Sequence, residues 1–268
     1  MGRMVTAFTA VAHRGDPYVH RENTLPSIRS ALWAGAGAVE IDVRLTADGV
    51  PVLLHDATLG RLWGREVALS ALTAEQVRSL THGRVPTLQE ALAEVMRPGR
   101  ETQGRAGREE QGRAGREEQG RAGREEGGGA ENASPARLFV DLPDPAAAAA
   151  AVAAVRASGA AERAYYCGGP VAMLNVRRAD PDAEIALTWT THAPPRPSLL
   201  AEVRPRWLNY RFGLVTPELV ARNHADGLLV SAWTADTRRT MRRLLRAGVD
   251  SITTNRIGAL RSLLPASA

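Results

Sequence analysis

The sequence predicts an α/β fold: a (β/α)8 TIM-type barrel forming a single domain over residues 1–268, with a low-complexity surface insertion at about 100–131. Three observations carry this prediction. Short, β-prone apolar segments alternate with helical ones along the chain, and eight of them stand where parallel strands would. These segments carry few polar residues, which suits strands buried on both faces. Without its roughly 30 inserted residues, the chain of 268 comes close to the ~250 usual for such a barrel.

The first strand candidate, Val5 to Ala12, delivers His13 and Arg14 at its end, where Gly15-Asp16-Pro17 stops it. Thr24, with Pro26 shortly after, opens a helix from Leu25 to Ala36 that Gly35 and Gly37 end. In the second strand, Ala38 to Leu45, alternation puts Glu40 and Asp42 on one face and Val39, Ile41 and Val43 on the other. Two buried acids on one face need a cation, either an arginine or a metal. Ala47-Asp48-Gly49 is a hairpin signal, and Val50 to Leu54 is the return strand that carries out His55-Asp56.

From Ala57 to Arg84 the chain reads as a connector, with one helix at Thr73 to Leu80 where Thr73 and Gln76 form a capping box. His82 in this connector is read as a surface residue. A helix then opens over Val85 to Glu90 and runs to about Met96. Beyond the insertion, strand Arg137 to Leu142 carries Asp141, and the alanine-rich stretch from Pro145 to Ser158 is a helix closed by Gly159. Strands at 164–167, 184–189, 207–210, 228–234 and 251–254 alternate with helices at 170–179, 197–203, 217–226 and 237–247. The arginines from Arg238 to Arg246 have helical spacing and read as a solvated helix face.

Between Arg100 and Glu131 the octapeptide Gln-Gly-Arg-Ala-Gly-Arg-Glu-Glu occurs three times in tandem, starting at Gln103, Gln111 and Gln119. Having no apolar side chain larger than alanine, it cannot contribute to a core and reads as a disordered or weakly helical insertion. Deleting Gln103 to Glu126 is expected to leave folding and activity intact. A large drop in thermal stability on deletion would overturn that reading.

The 34 basic residues are all arginine, so Schiff-base, pyridoxal-phosphate and P-loop lysine chemistry are excluded. A net charge of +5 permits anionic substrates, but with 4% aromatics and scattered arginines there is no stacking platform or basic stripe for nucleic acid. Cys167 is the single cysteine, which excludes an intrachain disulfide and a cysteine metal cluster and reads as a small buried side chain. The apolar run Met4 to Ala12 is short for a signal peptide, and cleavage after Ala12 would destroy the first strand. The expectation is a cytoplasmic protein with no stable membrane insertion.

In a barrel of this kind the reactive groups stand at the C-terminal ends of the strands. His13, Asp42, His55 and Asp141 fall there or within a residue or two, with Glu40 one step deeper. Oxygen ligands without cysteine favour a hard divalent cation, Mg2+ or Ca2+. Two histidines then remain for proton transfer near neutral pH. With Arg14 beside them, this set suits a phosphate ester.

His13-Arg14-Gly15, Glu22-Asn23-Thr24, Glu40-Ile41-Asp42-Val43, Asp48-Gly49 and His55-Asp56 resemble, in order and spacing, the signature of the glycerophosphodiester phosphodiesterase family. Pro86-Thr87-Leu88, Trp233-Thr234 and Gly248-Val249-Asp250 resemble its later motifs. The resemblance implies a barrel enzyme that cleaves small glycerophosphodiesters to glycerol 3-phosphate and an alcohol, with a lysophospholipase-D-type activity as the related alternative. It implies Glu40, Asp42 and Asp141 as metal ligands, His13 and His55 as the acid/base pair, Arg14 as a phosphate contact and Trp233 as an apolar wall.

Asp141-Leu142-Pro143 departs from the family's Glu-x-Lys: the acid is one methylene shorter and the lysine is absent. That substitution predicts weaker phosphate binding unless an arginine replaces the lysine, and at its extreme a barrel that binds phosphorylated ligands without turnover. Asn255 stands where an aspartate is common, and Arg21 where proline is frequent.

Overall fold

Eight parallel strands close on themselves in the computed structural model, which describes residues 8–97 and 135–265. In chain order the first elements are β1 (Thr9–His13), α1 (Leu25–Trp33), β2 (Ala38–Leu45), β3 (Pro51–Leu53), β4 (Thr58–Leu59), α2 (Gly60–Trp63), β5 (Arg65–Ala68), α3 (Ala74–Leu80) and α4 (Leu88–Val95). After the repeats, which lie outside the described residues, come β6 (Arg137–Asp141), α5 (Ala148–Ala157), β7 (Ala164–Gly168), α6 (Pro170–Ala179), β8 (Ile185–Trp189) and α7 (Pro197–Val203). The chain ends with β9 (Trp207–Arg211), α8 (Pro217–Ala225), β10 (Leu229–Trp233), α9 (Arg238–Ala247), β11 (Ser251–Thr254) and α10 (Ile257–Arg261). The order β1-β11-β10-β9-β8-β7-β6-β2 closes through the β1–β2 pair, and β3 adds antiparallel to the end of β2.

The expected barrel is therefore the observed one. Helix starts follow from local chemistry: the Thr24 side chain accepts from Ser27 N at α1, and Thr73/Gln76 and Thr87/Glu90 form capping boxes at α3 and α4. Each such cap contributes about 1 kcal/mol. Proline stands in the first turn of α1, α6, α7 and α8, where its missing N–H costs nothing. The solvated face of α9 is also found, with Met241 and Leu244 buried and the arginines outward. His82 is exposed.

Strand alternation sorts the interior. Val39, Ile41 and Val43 of β2, Leu138 and Val140 of β6 and Ile185 and Leu187 of β8 face the helices and join the main core. The opposite faces point into the barrel, where Val11, Ala38, Phe139, Tyr165, Cys167, Ala186 and Trp207 form a separate cluster. Phe139 stacks on Tyr165 with ring centroids 4.3 Å apart, and Tyr165 lies 6.3 Å from Trp207. These rings fill the barrel, so the polar residues further along the same strand faces are left at the C-terminal end.

The segment between β3 and α4 holds more than the expected connector with one helix. It contains the β4–β5 hairpin and α2 as well, and Val52, Leu54, Leu59, Leu69, Leu72, Val77 and Val85 give it an apolar cluster of its own.

Candidate active site

The loop after β1 sets the first two side chains. Arg14 (φ 56°) and Gly15 (φ 88°) turn the chain out of the strand in left-handed conformation, and a Cβ on Gly15 would collide with Ser27 of α1. Ser27 Oγ donates to Arg14 O at 3.0 Å and accepts from Asp16 N at 2.8 Å, fastening this loop to the start of α1. The sequence His13-Arg14-Gly15 is thus a strand end followed by a turn that only glycine fits at its third position.

Strand register brings the acids together. Glu40 lies opposite His13 on one side and Phe139 on the other, and Asp42 lies opposite Asp141. Ligand oxygens of Glu40, Asp42 and Asp141 all fall within 4.8 Å of one another. Glu40 and Asp42 are buried, at 5% and 2% exposure. Burial, then the neighbouring Asp42 and Asp141 charges, push the Glu40 carboxyl well above its usual range. Burial and Asp42 likewise raise Asp141 to about 6. Three carboxylates held this close together in a largely buried setting form a site short of positive charge.

Protein donors engage one oxygen of each acid. Arg14 N donates to Glu40 Oε2 at 3.0 Å, Asn23 Nδ2 to Asp42 Oδ2 at 2.7 Å, and Cys167 Sγ lies 3.3 Å from Asp141 Oδ1. Arg14 Nε sits 3.0 Å from Asp42 Oδ2, close enough for an ion pair but not aligned as a hydrogen bond. Glu40 Oε1, Asp42 Oδ1 and Asp141 Oδ2 are left by these contacts as an all-oxygen donor set, which fits a hard cation. The shorter Asp141 side chain therefore still reaches the cluster.

His13 Nδ1 lies 2.8 Å from Asn255 Oδ1, and Asn255 Nδ2 donates to Asp236 Oδ2 at 2.8 Å. Because the Asn255 amide spends its N–H on Asp236, its oxygen must accept from His13, which places the His13 proton on Nδ1 and the lone pair on Nε2. Nε2 faces Glu40 Oε2 at 3.8 Å. Burial, then the Arg14 charge, hold His13 below the usual histidine pKa despite the Asn255 bond, so the ring is neutral at pH 7.

His55 stands two residues beyond β3, its Nδ1 2.7 Å from Asp56 Oδ1. Arg61 of α2 bonds both Asp56 and Glu22, and Glu22 in turn accepts from Arg14 Nη1 at 2.9 Å. Against the upward push of burial, these bonds hold the Asp56 and Glu22 carboxyls below their usual range.

His13, Arg14, Glu40, Asp42, His55, Asp141 and Trp233 thus all line one cavity of about 210 Å3. Its wall also includes Thr188, Asn209 and Thr253, none of which the sequence singled out, and Cys167, which the sequence placed only as a small buried side chain. Asn209 and Thr188 were detectable as polar residues on inward positions of otherwise apolar strands. Arg14 is the one arginine lining the cavity among the described residues, so no second one replaces the absent lysine there. Asn209 Oδ1, Thr253 Oγ1 and Trp233 Nε1 are buried in this wall without a hydrogen-bond partner, leaving one donor N–H, an acceptor and a hydroxyl for a polar ligand.

The glycerophosphoryl diester phosphodiesterase family model matches residues 13–110 and 142–259. The chain is 42% identical over 100 residues to "Glycerophosphodiester phosphodiesterase 1" of Bos taurus, which covers 33% of this chain and 30% of that protein. The matched part thus spans less than a third of that relative's length. Among solved structures, a putative glycerophosphoryl diester phosphodiesterase from Silicibacter pomeroyi superposes with a TM-score of 0.73 at 25% identity, over 97% of this chain and 93% of that one. An Oleispira antarctica phosphodiesterase in complex with the product sn-glycerol-3-phosphate has a TM-score of 0.68 at 20% identity, over 95% of each chain.

Proposed function

The chain belongs to the glycerophosphoryl diester phosphodiesterase family, and we propose that it hydrolyses small glycerophosphodiesters to sn-glycerol 3-phosphate and an alcohol. The observation that carries this reading is the meeting of His13 and His55 with Glu40, Asp42, Asp141 and Arg14 in one cavity.

Glu40, Asp42 and Asp141 would hold one divalent cation, Mg2+ or Ca2+, which when bound neutralises charge on the phosphate and polarises phosphorus. Arg14, held by Glu22 and Asp42, presents its guanidinium to a non-bridging oxygen. The neutral Nε2 of His13 takes the proton from the glycerol hydroxyl next to the diester, and that oxygen attacks phosphorus. The P–O bond to the alcohol breaks, and the departing oxygen takes a proton from His55, whose Nδ1 rests against Asp56. Water then adds to the cyclic phosphate, giving one proton to His55 while the ring oxygen regains one from His13. Trp233 forms the apolar wall of the cleft.

Release of glycerol 3-phosphate from glycerophosphocholine, measured with Mg2+ or Ca2+ and again after chelation, tests the proposal. Turnover that chelation stops is expected. Absence of turnover with either metal would leave the barrel as a binder of phosphorylated ligands, and faster release of lysophosphatidic acid from lysophosphatidylcholine than of glycerol 3-phosphate from glycerophosphocholine would favour the lysophospholipase-D-type alternative.

Asn255→Ala frees the His13 ring to adopt either tautomer and to turn. The expected loss is about 10- to 100-fold in kcat with little change in KM, since the glycerol and phosphate contacts are untouched. A rise in KM alone would remove Asn255 from this positioning role.

A further inference from the structure

A second cavity, of about 470 Å3, lies beside the start of α1 and is lined by His20, Arg21, Thr24, Leu25, Pro26, Arg29, Trp63, Gly83 and Arg84. It shares no lining residue with the cleft that holds the carboxylates. Three arginines and a histidine line it, and no acid does. Arg29 is paired with Glu94 at 2.8 Å, but Arg21 and Arg84 form no ion pair among the described residues. The Arg21 guanidinium sits over the Trp63 ring, its Cζ 4.4 Å from the centroid. A guanidinium held over a ring face still has N–H groups that can bind an anion.

Two further donors point the same way. Trp63 Nε1 is buried without an acceptor, an omission that a ligand oxygen would correct. The nine-residue α1 begins at this wall, with Thr24, Leu25 and Pro26 lining it, so the positive end of the helix adds to the arginine charge. We propose that this cavity is a second anion site that takes a phosphate group, outside the cleft where hydrolysis is placed. Arg21 is the central ligand, and its planar fork suits phosphate oxygens.

The site is wired to the cleft through short contacts. Glu22, the residue after Arg21, pairs with Arg14 and Arg61, and Arg61 and Trp63 both belong to α2. The phosphate can therefore be the far end of a substrate whose alcohol is itself phosphorylated, or a separate anion that acts through α2 and Asp56.

Calorimetric titration of the full chain with pyrophosphate in EDTA tests binding, because without a cation the three carboxylates of the cleft repel anions. This arm needs no turnover, so it fails or succeeds independently of diester hydrolysis. Binding is expected for the native protein and for Arg178→Gln, an exposed arginine of α6 outside the cavity. Arg21→Gln and Arg84→Gln should each weaken it at least about tenfold, and Trp63→Phe should weaken it while keeping the wall. No binding heat, or equal affinity in all five proteins, overturns the proposal.

Turnover with a cation present separates the two sources. If the phosphate is the substrate's own, Arg21→Gln lowers kcat/KM for a diester with a phosphorylated alcohol and spares glycerophosphocholine. If it is a separate ligand, inorganic phosphate changes glycerophosphocholine turnover in the native protein more than in Arg21→Gln.

Discussion

His13→Ala and His55→Ala will each lower kcat for glycerophosphocholine by at least ~100-fold, because each removes a proton-transfer partner that the proposed displacement at phosphorus requires. The two losses should differ in pH dependence. Burial and the Arg14 charge hold the His13 pKa below the ordinary histidine value, so the native enzyme keeps its base unprotonated down to slightly acid pH and loses activity only below that. In His13→Ala the remaining activity should lack this acid limb. In His55→Ala the limb should persist, since the Asn255–Asp236 arrangement around His13 is intact. Turnover within a few-fold of native in either variant, across pH 5 to 9, would take that histidine out of the reaction.

A divalent cation will raise the melting temperature of the protein, and the rise will vanish at low pH. The Asp141 carboxyl is raised to about 6 by burial and by Asp42, against 3.8 ordinarily. The folded state therefore binds a proton there more tightly than the unfolded state does, and the apo protein loses stability as pH rises through about 6. The loss is on the order of 3 kcal/mol. Glu40 moves in the same direction. A cation bound to the same oxygens takes the proton's place, so its stabilising effect should be largest above pH 7 and small below about pH 5. With saturating Mg2+ or Ca2+ at pH 8 the expected gain is about 5 °C or more. In Asp141→Asn, which cannot ionise, the apo protein should be more stable than native at pH 8 and the cation gain should be lost. A cation gain that is equal at pH 5 and pH 8, or unchanged in Asp141→Asn, would contradict the three-carboxylate site.

Much of this arrangement could be read along the chain because β-strand alternation is a local rule. Glu40 and Asp42 two residues apart in an apolar run had to share a face, and Asp141 at the end of another such run had to stand beside them once the strands paired. Contacts that depend on closure were not visible. His13 and Asn255 are separated by 242 positions, and only the β1–β11 pairing joins them. The β4–β5 hairpin was missed because two- and four-residue strands are too short to show a period. Its role in carrying Arg61 and Trp63 followed it out of view. Cys167 was read correctly as buried, but its neighbour could not be known: the register puts it beside Asp141, so the thiol faces the acids rather than the outer core.

The stacked rings of Phe139, Tyr165 and Trp207 have a consequence for how material passes through the barrel. They pack the barrel interior beneath the carboxylates, so the floor of the cleft offers no way through. In the proposed reaction a departing alcohol and an incoming water would then share the mouth of the cleft, and the first would have to clear it before the second could reach phosphorus. With no depth to spare beneath the carboxylates, different alcohols of the proposed substrates would have to be accommodated at the rim of the cleft rather than at its floor.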